Sequence, residues 1–91
     1  MLYGLKMVDM VLVMSIVILA AINIVKTLKI PPSTIPWKKW THLAIFSSVA
    51  LSHLLEGWYL LYGWEPSLMI MVQHFGTAGL LLLWTILSTK E

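Results

Sequence analysis

Residues 47–64 read SSVALSHLLEGWYLLYGW, and this stretch decides the class of the whole chain. Counted from Leu43 to Trp64 it is 22 residues long, and a helix needs about 20 to cross the hydrocarbon of a bilayer. It therefore reads as a membrane-spanning helix, but one that holds His53 and Glu56 three residues apart. The two residues share a helix face, and that face cannot be a lipid face. An ionised carboxylate near the bilayer centre costs about 2.5–3.5 kcal/mol and is found turned toward a bundle interior or a partner.

The rest of the sequence agrees with the class. Of the 91 residues, 59% are hydrophobic and only 11% charged, against roughly 25% charged in an ordinary globular domain. All six basic residues are lysine, so the planar arginine fork used on phosphates and nucleic acids is missing. No cysteine is present, which excludes disulfides, thiolate metal ligands and a thiol nucleophile together.

Two further apolar segments flank the first. Leu68 to Ser88 spans a bilayer unaided, whereas Met10 to Val25 has 16 residues and is short. That segment reaches full length from about Met7 to Leu28 if Asp9 and Lys26 lie near the interfaces, with Lys26 and Lys29 snorkelling outward. The expected fold is an all-α integral membrane protein, a single membrane domain of three transmembrane helices over about 7–28, 41–64 and 67–88. The turn GWEPS is short enough to make helices two and three an antiparallel hairpin. IPPSTIP, residues 30–36, is the other loop, where Ser33 or Thr34 can cap the second helix ahead of Pro36.

Lysines Lys26, Lys29, Lys38 and Lys39 surround the first loop and Glu65 stands in the second. The excess of lysine marks the cytoplasmic side, so the N-terminus is expected outside and the C-terminus in the cytoplasm. Trp37 and Trp40 then belong to the inner aromatic belt and Tyr59, Tyr62 and Trp64 to the outer one.

If the hairpin turns near residues 65 and 66, positions at equal depth have numbers that sum to about 131. His74 then lies level with residue 57, beside Glu56, and His53 sits roughly 4.5 Å deeper at about 1.5 Å per residue. His53, Glu56 and His74, with Gln73 adjacent, form an expected intramembrane polar cluster. One expectation for it is a satisfied structural pair that registers helices two and three. Another is a site for a proton, ligand or metal, since two imidazoles and a carboxylate are donors that suit zinc, copper or non-haem iron. Haem held by both histidines would require matched depths, which the simple register does not supply. His42, near the inner interface, is expected at headgroup level.

Small residues mark packing faces. Ala44, Ser48 and Ser52 follow an i, i+4, i+8 ridge that leads to Glu56 and lets another backbone approach closely. Gly76 and Gly79 form a patch on helix three, and Ser15 and Asn23 place two hydrogen-bonding groups on helix one.

VKTLK at residues 25–29, LLYG at residues 60–63 and the three-helix layout resemble the PQ-loop half-transporters of the SemiSWEET type. That resemblance implies a homo-oligomeric transporter of a small solute. The chain departs from the family at two places: Ile22 and Asn23 stand where the family has proline and glutamine, and His74 stands where its third helix offers asparagine.

The leading functional expectation is a small accessory subunit of a larger membrane complex, of the redox class: a respiratory oxidase, a dehydrogenase anchor or a membrane monooxygenase. Minimal loops, few helices and the small-residue ridges carry the step to a subunit packed against other membrane subunits. The competing expectation is the half-transporter with a polar His/Glu cavity. No nucleophile–base set is legible, so the chain is not expected to be catalytic on its own, and nothing marks a nucleic-acid partner.

Overall fold

The computed structural model describes residues 3–29, 36–63 and 65–89. Three helices account for nearly all of them: α1 (Tyr3–Lys29), α2 (Pro36–Leu61) and α3 (Leu68–Thr89). Each contains a stretch long and apolar enough to cross a membrane, Lys6–Lys29, Lys38–Leu61 and Leu68–Ser88. Ser33 and Thr34, the expected caps of α2, lie outside the described residues, as does Trp64.

Local chemistry places the ends. Gly63 adopts a φ of 96°, a left-handed conformation that an L side chain rarely takes, and so terminates α2 with its N–H on the Leu60 carbonyl at 3.3 Å. Ser67 then caps α3, its hydroxyl accepting the Ile70 N–H at 3.3 Å. At the far end of α1, Lys26 and Lys29 lie in the last turn, where cations favour the helix dipole.

The buried residues of α1 are Asp9, Val13, Ile16, Ala20, Asn23 and Thr27. They recur at alternating steps of four and three, the 3.5-residue repeat of a helix packed along its whole length. Apolar side chains fill the middle of this stripe and polar ones its ends. In α3, residues 71, 74, 78, 81, 85 and 88 repeat the same steps on its more covered side. Ile16, Phe46 and Leu81, one from each helix, form the buried apolar core, with Leu19, Ile24, Val49 and Ala78 packed on it.

Helix α1 is the central element. Backbones approach within 8 Å between α1 and α2 and between α1 and α3, whereas among the described residues α2 and α3 make no such approach. Those two meet through long side chains, with Phe46 and His42 both reaching Trp84. His42, expected at headgroup level, stands edge-on to the Trp84 ring with centroids 5.7 Å apart. Near the C-terminal end of α1, Asn23 Nδ2 donates to Thr85 Oγ1 at 2.8 Å and to the Leu19 carbonyl at 2.8 Å. Lys26 Nζ donates to the Thr85 carbonyl at 3.3 Å, so this lysine, expected to snorkel, also ties α1 to α3.

Gly57 sets the approach of α2 to α1. A Cβ there would lie 3.6 Å from Val13 Cγ1, while at Gly76 and Gly79 it would meet nothing within 4 Å. Gly57→Ala should therefore be tolerated, since 3.6 Å is an ordinary contact. Gly57→Ile should destabilise the bundle by about 1–3 kcal/mol through overpacking, whereas Gly76→Ile should have little effect. Thermal unfolding in detergent, followed by helical circular dichroism, measures all three.

Candidate functional site

The centre of the site is an imidazole held by two carboxyl groups from two other helices. His74, on the inward stripe of α3, is buried. Its Nδ1 lies 2.6 Å from Asp9 Oδ1 of α1 and its Nε2 lies 2.5 Å from Glu56 Oε2 of α2. All three helices are thereby joined at one ring. Asp9 is 0% exposed while the Glu56 side chain is 32% exposed, so the triad has a closed end and an open end.

Two protons are the fewest that the two bonds of this triad require. Each of the two bonds requires one proton. If both sit on the ring, an imidazolium lies between two carboxylates; if one sits on Glu56, a neutral imidazole lies between a carboxylate and a carboxylic acid. Both arrangements leave one net negative charge. A proton can thus shift along the Glu56–His74 bond without changing the charge of the cluster. The second Asp9 oxygen, Oδ2, is buried and makes no hydrogen bond, which leaves an acceptor unsatisfied in the interior.

His53 stands one turn from Glu56 on α2. Its Nδ1 lies 2.7 Å from the Val49 carbonyl, with Ser52 Oγ at 3.3 Å. Because a carbonyl only accepts, Nδ1 carries the hydrogen and Nε2 remains the free ring nitrogen. The His53 and His74 rings meet edge to face with centroids 5.4 Å apart. In this contact the two rings touch each other directly. One ligand atom from each of His53, Glu56 and His74 lies within 4.8 Å of the others, so these three side chains can reach a common metal ion.

A groove of about 730 Å³ opens between α2 and α3, with His53, Glu56, Gln73 and His74 on its polar part and Gly76 and Thr77 alongside. Gln73 is exposed. Of the expected packing residues, Ala44, Ser48 and Ser52 face outward, as do Gly76 and Gly79. None of these five lies in the buried core of the bundle. Ser15 donates to the Val11 carbonyl of its own helix at 2.8 Å, and Asn23 faces α3.

Asp9 is the residue that sequence reasoning left out of the polar cluster. A charge near the start of an apolar run marks a membrane interface by default, yet here it is buried against His74. The signal lay in spacing: Asp9 falls on the same stripe as Asn23 and Thr27.

Removing one partner should strand the others. His74→Leu leaves a buried Asp9 carboxylate without a donor and should cost about 3–5 kcal/mol. Asp9→Leu combined with His74→Leu should cost less than the sum of the single changes, because the unpaired charge is gone. Glu56→Gln should be mild, since the amide oxygen still accepts from Nε2–H. Denaturation of the parent, the Asp9→Leu and His74→Leu variants and their double in detergent gives the cycle, and additive losses would show that Asp9 and His74 do not act as a pair. No known family, curated protein or solved structure matches this chain.

Proposed function

We propose that this chain is a small accessory subunit of a larger membrane complex, not catalytic alone, that packs against helices of other subunits. In this reading α1, α2 and α3 cross the bilayer with the N-terminus outside and the C-terminus in the cytoplasm. Helices α2 and α3 form an antiparallel hairpin, since Phe46 meets Trp84 while Glu56, further along α2, meets the earlier His74.

The observation that carries this proposal is the open side of the triad. Outward-facing large side chains such as Leu51, Leu54, Leu55, Phe75, Leu80 and Leu83 suit a hydrocarbon solvent. Glu56, His53 and Gln73, which line a groove between α2 and α3, do not. Lipid tails offer no hydrogen bond to a half-exposed carboxyl, whereas a helix of another chain does. Beside the groove, Ala44, Ser48 and Ser52 present small side chains outward, the surface on which a second backbone approaches closely.

The redox class, a respiratory oxidase, a dehydrogenase anchor or a membrane monooxygenase, is assigned by analogy from nitrogen and oxygen donors carried on membrane-length helices. Affinity purification from native membranes tests the whole reading. A stoichiometric large complex with bound haem or redox metal, weakened by Ser48→Leu and Ser52→Leu, is the expected result. A homodimer that carries a small solute would instead favour the half-transporter. Unchanged co-purification in both serine variants would remove this face from the interface.

Topology is tested separately. A cysteine introduced between Pro31 and Trp37 should be protected from an impermeant thiol reagent applied to intact cells, and one at Glu65 should be labelled. The reverse pattern would invert the orientation.

A further inference from the structure

We infer that His53, Glu56 and His74 form a binding site for one divalent first-row transition-metal ion, with Asp9 as the group that orients His74. The ligands are Nε2 of each histidine and one oxygen of Glu56. This site goes beyond the subunit role and is independent of it, because all three ligands belong to this chain.

Three features carry the assignment. The first is distance. In a tetrahedral site with metal–nitrogen and metal–oxygen bonds near 2.0–2.1 Å, ligand atoms stand about 3.3 Å apart. Here the Glu56 oxygen is 2.5 Å from His74 Nε2, and one ring nitrogen of each histidine and one Glu56 oxygen lie within 4.8 Å of one another. The second is orientation. A ligating histidine almost always donates its other ring N–H to a carboxylate or a backbone carbonyl, which fixes both tautomer and ring plane. Both arrangements occur together: His74 Nδ1 is on Asp9 at 2.6 Å and His53 Nδ1 is on the Val49 carbonyl at 2.7 Å. Each ring is thus held with Nε2 as the ligating atom. Neither a register pair nor a proton site requires His53 to be held in this way.

The third is charge. With only the two protons that its bonds require, the triad carries one net negative charge. Exchange of the single proton between Glu56 and His74 for a divalent cation makes the cluster neutral, and a neutral cluster is far less costly to bury. Two imidazole nitrogens and one carboxylate oxygen suit Zn²⁺, Cu²⁺ or Fe²⁺ rather than Mg²⁺ or Ca²⁺, which take oxygen ligands. Three protein ligands leave a fourth position on the groove side for water or for a group from a partner.

Co²⁺ is the probe, because its visible absorption reports coordination. The full-length, untagged chain in detergent, stripped with a chelator and titrated with Co²⁺, should bind one ion per chain with an intense tetrahedral-type spectrum that Zn²⁺ abolishes. His53→Ala should remove the spectrum while leaving helicity and the Asp9–His74–Glu56 bonds intact. Glu56→Gln should weaken binding by at least tenfold, and Asp9→Asn by about 10- to 100-fold. His42→Ala, which alters a histidine outside the cluster, should bind as the parent does. Absence of stoichiometric Co²⁺, equal binding by the His53→Ala variant, or equal loss in the His42→Ala variant would each overturn the site.

Discussion

A single imidazole ring is the point at which all three helices are bonded to one another. His74 takes one carboxyl group on each of its two nitrogens, from α1 and from α2, and so adds a polar link to the apolar and aromatic contacts between α2 and α3 at Phe46, Leu81 and Trp84. In a low-dielectric interior such bonds are stronger than in water, and the cost of leaving any member unpaired rises with them. The ring therefore has a role in specificity that leucines cannot fill. Ile16, Phe46 and Leu81 tolerate many arrangements of three apolar rods, but only one register brings Asp9, Glu56 and His74 into contact.

The central position of α1 follows from its two-ended stripe. Asp9 and Asn23 are 14 residues apart along one face, and each is matched on α3, by His74 and by Thr85. The apolar residues between them provide packing, while the polar ends prevent sliding. A shift of α1 by one turn would break both contacts at once. This division explains how a bundle whose surface is almost wholly apolar selects one alignment.

Much of this was legible from residue order alone. Lengths of uncharged sequence indicate three long apolar helices, and counting outward from GWEPS places His74 level with residue 57, next to the Glu56 to which the structure bonds it. Two features escaped that count. Asp9 was hidden because a carboxylate two turns into an apolar segment resembles a boundary, and only its spacing to Val13, Ile16 and Asn23 betrays a buried position. Gly57 was hidden because a lone glycine carries no periodic signal, although a Cβ there would touch Val13 of α1. The ridge of Ala44, Ser48 and Ser52 was plain as a pattern, but pattern cannot say whether a face turns inward. In the structure it turns outward.

The sequence separation of 65 between Asp9 and His74 also imposes a history on the molecule. Synthesis runs from the N-terminus, so α1 is complete long before the ring that answers its carboxylate has been made. Throughout that interval Asp9 must be hydrated, protonated or shielded by some other protein, and α1 cannot settle in its final environment. Helix α1 is thus the first to be made and the last to be committed. A ribosome pausing before α3 would leave a two-helix intermediate with an unanswered acid, a form that quality-control machinery can recognise by its chemistry.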